Sequence, residues 1–227
     1  MDNKEYKSTD KISQHGYHRF YEPELGYLQH ENFGMIEIGV QTEDSLNLWL
    51  DYFPKTYIYG IDIGMECTGQ RYQVFKFDQN DIKQLSQIPF KDIRFINDDG
   101  SHIPEHQLKT FGFLFENVLQ PGGVYIIEDI ETSYWKTGGL YGNPTRYGIR
   151  HPESIIEKFK ILVDVINRDF ISFEDKLALN LSTSFLSLNA TLWIASIIFA
   201  QNCIIVRKKN KRDFEYNNRP YAWSGFI

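Results

Sequence analysis

Short apolar runs alternate with amphipathic stretches along most of the chain. The apolar runs have the length of buried strands, and they end in glycine or in polar residues. They cover residues 35–40, 57–61, 73–77, 93–96 and 123–127. Because buried runs that alternate with helical patterns are typical of βαβ units, the pattern predicts an α/β fold built on an open, mostly parallel sheet.

Longer stretches with apolar residues at helical spacing lie between and after these runs. They predict helices at 45–53, 105–119 and 153–167. Two more apolar runs, at 192–198 and 203–206, predict adjacent strands joined by a hairpin turn. The predicted elements therefore extend over most of the chain as one domain.

Acidic residues follow two of the predicted strands at the point where each strand ends. The strand at 93–96 runs into Asp98-Asp99-Gly100-Ser101-His102, and the strand at 123–127 runs into Glu128-Asp129. The carboxyl ends of parallel strands meet at one sheet edge, where ligands bind. Carboxylates that converge there repel one another unless a cation lies among them, and oxygen ligands suit Mg²⁺. In the alternative interpretation, these residues only cap the next helix or lie in solvated loops.

The first strand, a glycine and the first helix together predict the opening unit of a nucleotide-binding sheet. Only Gly39 is present, however, with Gln41 and Asp44 where a phosphate-binding loop has further glycines. This favours a cofactor with an adenosine and no phosphates over NAD. Asp62, at the tip of the second strand, is placed to accept hydrogen bonds from ribose hydroxyls, and Asp78 can contact an adenine amino group.

The N-terminal segment and a long loop carry the remaining candidate chemistry. Residues 14–21 are rich in histidine and tyrosine, and a helix predicted at 19–28 would cover the sheet edge as a lid. The alternative is a capping helix whose rings only cover apolar surface. The loop that follows Glu128 is long for a compact domain, and its aromatic and hydroxyl groups suit a sugar-like acceptor.

Composition narrows the function classes further. The 227 residues, 42% of them apolar, suffice for one sizeable α/β domain. A net charge of −6 argues against a nucleic-acid partner, and the basic run at 207–212 is typical of a solvated strand end. Two distant cysteines indicate a reducing compartment, so we expect a cytoplasmic protein. No apolar stretch is long enough for a membrane span.

Taken together, these motifs resemble the class I S-adenosylmethionine-dependent methyltransferases. More narrowly, they are similar to the Mg²⁺-dependent sugar O-methyltransferases that act on deoxysugars of macrolide antibiotics. The resemblance covers about residues 8–207. It is carried by Thr9-Asp10-Lys11, His15-Gly16-Tyr17, Ile36-Glu37-Ile38-Gly39-Val40, Tyr59-Gly60-Ile61-Asp62, Asp78-Gln79, Asp98-Asp99-Gly100-Ser101-His102, Ile127-Glu128-Asp129 and Thr132-Ser133-Tyr134-Trp135.

The resemblance implies a Rossmann-like, seven-stranded, mostly parallel sheet with an antiparallel last strand and helices on both faces. It implies an N-terminal lid segment at 1–30, a methyltransferase domain at 31–209 and a tail at 210–227. It also implies roles for individual residues. His102 would be the general base, Asp99, Glu128 and Asp129 would hold Mg²⁺, and Thr132, Ser133, Tyr134 and Trp135 would contact the acceptor. The S-adenosylmethionine site would be formed by Glu37, Gly39, Asp62, Asp78, Gln79 and Asp98, with Lys11, His15 and Tyr17 closing over its methionine end.

The implied reaction is methyl transfer to a hydroxyl of a sugar-containing small molecule or glycan. One departure from the family is the turn Val40-Gln41-Thr42, where the family is richer in glycine. Rival hypotheses are a catechol-type phenol O-methyltransferase and an adenosine-binding or nucleotide-sugar-binding module without catalysis. The sequence leaves open a homo-oligomer, and a domain cut from a longer glycan-modifying protein.

Overall fold

The computed structural model describes residues 9–140, 143–183 and 185–215. The predictions made for residues 1–8 and 216–227 lie outside this part of the chain. The strands are β1 Gly34–Ile38, β2 Tyr57–Asp62, β3 Cys67–Thr68, β4 Tyr72–Lys76, β5 Ile93–Asp98, β6 Val124–Glu128, β7 Gly139–Leu140, β8 Asn143–Pro144, β9 Ile194–Ala200 and β10 Cys203–Lys208.

The helices lie between and beyond these strands. They are α1 Asp10–Ser13, α2 His18–Leu25, α3 Asp44–Tyr52, α4 Ile82–Leu85, α5 Pro104–Asn117, α6 Ile155–Ile166, α7 Phe173–Ser182, α8 Leu188–Leu192 and α9 Lys211–Glu215. Short 3₁₀ turns occupy Gly26–Leu28, Ile130–Tyr134 and Arg168–Phe170. None of the helices described is long and apolar enough to cross a membrane.

The main sheet has the strand order β3-β4-β2-β1-β5-β6-β10-β9. The five strands from β4 to β6 in this order are parallel to one another, and β10 is antiparallel to both β6 and β9. The sheet is therefore the predicted mostly parallel one with an antiparallel last strand. It differs from the prediction in having β3, an added edge strand of two residues antiparallel to β4.

Apolar cores lie on the two faces of this sheet. Met35 of β1 points into one core and Ile36 into the other, as the alternation of a strand requires. Phe111 of α5 packs edge-on against Phe159 of α6 on one face, with ring centroids 4.9 Å apart. On the other face, Trp49 of α3 packs against Phe95 at 5.2 Å. Helices thus cover both faces of the sheet, as predicted.

Strand β5 is two residues longer than the apolar run that predicts it. Asp98 is paired in the sheet with Ile38 and Ile127, and its side chain is fully buried. That carboxylate accepts hydrogen bonds from the Tyr125 hydroxyl and the Gln79 amide, both at 3.1 Å. A strand that ends in Asn-Asp reads as a turn in sequence, because both residues favour turns. The acidic turn therefore begins at Asp99.

Candidate active site

Two turns at the carboxyl end of the sheet are pressed against each other. Gly39 follows β1 with φ +81°, in the left-handed region that favours glycine. A Cβ built on Gly39 would lie 1.9 Å from the carbonyl oxygen of Asp99. Asp99 in turn donates its backbone N–H to the carbonyl of Ile38 at 2.9 Å. Glycine at position 39 is therefore required for the acidic turn to lie beside β1.

The predicted metal ligands come together at this edge, and a lysine lies among them. The Lys11 ammonium donates to Asp99 Oδ2 and to Glu128 Oε2, the latter at 2.8 Å. Its side chain is only 3% exposed, so little solvent weakens these ion pairs. A buried ammonium thus supplies a positive charge to the carboxylates that sequence analysis assigns to Mg²⁺.

The same N-terminal segment contacts the carboxylates through two tyrosines. The Tyr17 hydroxyl donates to Asp129 Oδ1 and the Tyr21 hydroxyl donates to Glu128 Oε1, both at 2.5 Å. The amide of Asn202, in the β9–β10 turn, also donates to Asp129 Oδ1 at 2.9 Å. His15, half-buried, stacks on Tyr17 with ring centroids 5.0 Å apart. The segment is therefore attached to the sheet edge by charge-assisted hydrogen bonds.

The charge state of this cluster follows from burial and from its neighbours. Burial raises the pKa of Asp99, the nearby Glu128 carboxylate raises it further, and Lys11 opposes both effects. Burial by itself would lower the pKa of Lys11, but Asp99 and Glu128 outweigh it and hold the ammonium protonated. Tyr17 stays a neutral donor, since burial and Asp129 raise its pKa.

His102 lies on the acidic turn with a left-handed backbone, which is uncommon for residues other than glycine. Its φ is +54°, in the left-handed region, and its carbonyl accepts a hydrogen bond from the Thr132 hydroxyl at 2.9 Å. Its Nε2 is 4.0 Å from Asp129 Oδ2, and Asp129 is itself left-handed at φ +51°. Burial lowers the pKa of His102, against the attraction of Asp129. Backbone strain of this kind is common at functional sites.

The donor set at this edge fits a divalent cation. Among the described residues, Asp99, His102 and Asp129 each offer one ligand atom, and these atoms lie within 4.8 Å of one another. The two carboxylates are the oxygen ligands that a hard cation such as Mg²⁺ prefers, and the imidazole lies close enough to act as a base on a group bound beside them. Glu128 lies outside this trio, because its two oxygens face Lys11 and Tyr21.

A cavity of about 440 Å³ opens beside the acidic turn. Its lining includes four of the residues predicted to bind the cofactor, which are Gly39, Asp62, Asp78 and Gln79. It also includes Asp10 of the N-terminal segment, together with Asp99, His102 and Asp129. Pockets of this size accommodate ligands as large as drugs and cofactors.

Asp62 is oriented in this cavity by the backbone around it. Its Oδ1 accepts hydrogen bonds from the N–H groups of Gly64 and Met65, at 2.7 and 3.0 Å. Its Oδ2 accepts one from Gln41 N–H at 2.9 Å. A carboxylate oxygen accepts two hydrogen bonds, so Oδ2 keeps one acceptor position for a ligand hydroxyl.

A second cavity, of about 400 Å³, lies on the other side of His102. The two cavities share Ser101, His102, Ile103 and His106 in their linings. The outer wall of the second cavity is a cluster in which Arg146 and the Tyr147 hydroxyl both donate to the carboxylate of Glu105. His102 therefore borders both cavities.

Other predicted site residues lie away from these cavities. Glu37 is fully buried and accepts a hydrogen bond from the Trp49 indole at 3.1 Å, and burial raises its pKa to about 7. Asp98 faces Tyr125, and burial raises its pKa to about 7 as well. Neither residue is in the lining of either cavity, nor are Lys11, His15 and Tyr17.

The predicted acceptor residues are divided between the cavity and the surface. Thr132 lines the second cavity, whereas Ser133 is buried and has no hydrogen-bond partner for its hydroxyl among the described residues. Tyr134 and Trp135 are 53% and 37% exposed and are absent from both linings.

Sequence analysis missed several residues of the site. Tyr21 and Asn202 bind the carboxylates, and Glu105, Arg146 and Tyr147 form the wall of the second cavity. Tyr21 belongs to the segment singled out for its stacking groups, which was the available signal. Arg146 and Tyr147 belong to the long loop that was singled out for a sugar-like acceptor, whereas Glu105 and Asn202 carry no such signal, because long-range folding brings them to the site.

Comparison with known proteins gives this geometry a context. No family model matches the chain. The chain is 32% identical over 161 residues to the 8-demethyl-8-alpha-L-rhamnosyl tetracenomycin-C 2'-O-methyltransferase of Streptomyces olivaceus, covering 66% of this chain and 42% of that protein. It is 30% identical over 175 residues to the L-olivosyl-oleandolide 3-O-methyltransferase of Streptomyces antibioticus, covering 71% of this chain and 44% of that protein.

A solved structure matches nearly all of the fold. It is the MycE methyltransferase from the mycinamycin biosynthetic pathway, in complex with Mg, SAH and mycinamycin VI. The TM-score is 0.74 at 26% identity, over 96% of this chain and 56% of that one. The chain is therefore similar in sequence to sugar O-methyltransferases and in fold to the MycE methyltransferase. The class I methyltransferase fold expected from the resemblance is thereby confirmed. The chain itself spans less than half the length of the two curated relatives named above.

Proposed function

We propose that the chain is an S-adenosylmethionine-dependent, Mg²⁺-assisted O-methyltransferase that acts on a hydroxyl of a sugar. The acceptor is a sugar-containing small molecule, such as a glycosylated natural product or a nucleotide sugar, or a glycan. The observation that carries this proposal is the position of His102 in the lining of both cavities, beside the acidic edge. A base there faces the acceptor hydroxyl and the methyl donor together.

The residues of the larger cavity fit the cofactor. Asp62 keeps an acceptor position for a ribose hydroxyl, and Asp78 lines the same cavity where an adenine would lie. Gln79 holds the acidic turn in place, because its side-chain oxygen Oε1 accepts the Ser101 N–H at 2.6 Å. Asp99 and Asp129 face the cavity and would hold the metal ion.

When bound, S-adenosylmethionine supplies a methyl group on a positively charged sulfur, and Mg²⁺ lowers the pKa of an alcohol. His102 would remove the proton of the acceptor hydroxyl. Burial lowers its pKa, so the imidazole is neutral and able to accept a proton near pH 7. Thr132 holds the backbone of His102 in place through its carbonyl.

The second cavity is the site that we propose for the acceptor. Glu105 and Arg146 offer a carboxylate and a guanidinium to hydroxyl groups, and Tyr147 offers an aromatic ring and a phenol. Thr132 extends this wall, whereas Tyr134 and Trp135 would reach the acceptor only from the rim. The cytoplasm is the compartment we propose, because Cys67 and Cys203 are free thiols.

Methyl transfer tests the proposal directly. The purified chain would be incubated with methyl-labelled S-adenosylmethionine and a panel of rhamnosylated and olivosylated polyketides, nucleotide sugars and catechols, with Mg²⁺ or with EDTA. We expect label in a sugar-bearing acceptor that depends on Mg²⁺ and is lost in His102→Ala. Transfer to catechols alone would replace the sugar by a phenol as substrate. Transfer that is unaffected by His102→Ala would remove the base from the proposal.

A further inference from the structure

The Lys11 ammonium lies between two of the proposed metal ligands. It donates to Asp99 Oδ2 and to Glu128 Oε2, from positions 88 and 117 residues away in sequence. A divalent cation held by Asp99 and Glu128 would neutralise the same pair of charges. The ammonium thus performs the electrostatic task of an ion in this site.

Glu128 has no oxygen that is clear of the N-terminal segment. Its Oε2 accepts from Lys11 at 2.8 Å and its Oε1 accepts from Tyr21 at 2.5 Å. Both side chains that contact it are buried, so solvent does not compete for these oxygens. An ion that takes Glu128 as a ligand must therefore either share one of these oxygens with a donor or displace that donor.

Charge decides which donor leaves. Mg²⁺ binds carboxylate oxygens at about 2.0–2.1 Å, so an ion on Asp99 and an ammonium on the same carboxylate would be close neighbours. Two cations in a buried site repel strongly, because little solvent screens them. Tyr21 is neutral and can stay near its oxygen. The ammonium is the group that the incoming ion replaces.

We propose that Lys11 is the counterion of the metal-free site, and that a divalent cation bound by Asp99, Glu128 and Asp129 exchanges with it. The identity of that ion rests on the proposed function, whereas the exchange is a property of the chain alone. It also has a structural consequence. Lys11, Tyr17 and Tyr21 attach residues 9–28 to the carboxylates at the sheet edge, so loss of the Lys11 contact loosens the segment beside the cofactor cavity.

Metal affinity tests the exchange without any turnover. Mn²⁺ would be titrated into wild type, Lys11→Met and Lys160→Met, and free Mn²⁺ followed by its electron paramagnetic resonance signal. Lys160 is half-exposed on α6 and pairs with Glu157, so its variant removes the same charge away from the site. We expect Lys11→Met to bind Mn²⁺ about tenfold or more tightly than wild type, since it loses a charged competitor. Lys160→Met should match wild type.

Equal or weaker Mn²⁺ binding by Lys11→Met overturns the exchange, because a competitor cannot be removed without a gain. Absence of Mn²⁺ binding in all three proteins overturns the metal site itself. Binding of S-adenosylhomocysteine in the same samples would then show whether the methyltransferase proposal fails with it.

Hydrogen exchange of the wild-type chain gives a second readout that does not depend on the variant's folding. Backbone amides of residues 10–28 should exchange faster in saturating Mn²⁺ than in EDTA. Amides of β1 and β2 in the same digest serve as the internal reference. Unchanged or slower exchange in residues 10–28 would mean that Lys11 stays on its carboxylates, and the proposal would be wrong.

Discussion

Tyr21→Phe removes one oxygen from the core of the site and leaves the ring in place. The hydroxyl donates to Glu128 Oε1 at 2.5 Å, and Tyr21 and Glu128 are each 1% exposed. The ring packs between Tyr17 and Trp49, with centroids 5.6 and 6.2 Å away, and these contacts survive in phenylalanine. The change in stability therefore reports the hydrogen bond.

A hydrogen bond to a charged group contributes about 1.5–3 kcal/mol, and a buried oxygen left without its donor adds to the loss. We expect Tyr21→Phe to lower the free energy of unfolding by about 2–3 kcal/mol. In a chain of this size that corresponds to a melting temperature lower by roughly 4–12 °C. Urea denaturation in EDTA, followed by circular dichroism, would measure it, with the slope unchanged from wild type.

Tyr27→Phe is the matched control. The Tyr27 hydroxyl donates to a neutral acceptor, the Gly122 carbonyl at 2.7 Å, and the residue is 45% exposed. Its loss should cost about 1 kcal/mol or less. Equal losses in the two variants, or a loss below about 0.5 kcal/mol in Tyr21→Phe, would refute the view that this hydroxyl stabilises a buried carboxylate by a hydrogen bond.

Three further predictions test the turns and the opposite end of the sheet. Gly39→Ala should lower the free energy of unfolding, measured by urea denaturation, by about 2–5 kcal/mol, because the new Cβ strains the left-handed backbone and clashes with Asp99. Gly64→Ala, whose Cβ would meet its nearest atom at 3.5 Å, should stay near wild type, and equal losses would contradict the account. Asp62→Ala should weaken binding of S-adenosylhomocysteine by about 10–100-fold in calorimetry, and unchanged binding would remove the ribose contact. Lys208, whose Nζ donates to the carbonyls of Phe115 and Leu119, has its pKa lowered to about 8 by burial. The unfolded chain then holds a proton that the folded chain loses between about pH 8 and 10.5, so stability should rise with pH in that window. Lys208→Met should lose this rise, and an unchanged pH profile in the variant would contradict it.

The fold could be predicted from sequence because its strands are continuous apolar runs. β1 and β2 have no competing pattern, and each is followed by a glycine or an acidic residue that marks its end. The rule that parallel strands bring their carboxyl ends to one edge then placed Asp99 near Glu128 and Asp129. Asp98 was predicted in the turn but belongs to β5, because residue type alone does not show that the strand continues for two more residues.

The interior of the site could not be predicted in the same way. Lys11 reaches Asp99 across 88 residues, and no periodicity in a four-residue helix indicates that its ammonium is buried. Asn202 is predicted in a hairpin turn, and the structure places it there. The pairing of β10 with β6 also brings its amide to Asp129, which the sequence does not indicate. The left-handed backbone of His102 is likewise set by its surroundings, since glycine and asparagine are the residues that signal such a conformation in sequence.

Titration of the purified chain with S-adenosylhomocysteine in a calorimeter, with and without Mg²⁺ and with NAD in parallel, tests the central claim most directly. It requires no knowledge of the acceptor. The account predicts saturable binding of S-adenosylhomocysteine and none of NAD, because the cavity beside Gly39 has a ribose acceptor in Asp62 but no glycine-rich phosphate loop. Absence of S-adenosylhomocysteine binding in both conditions would contradict a methyltransferase function for this chain.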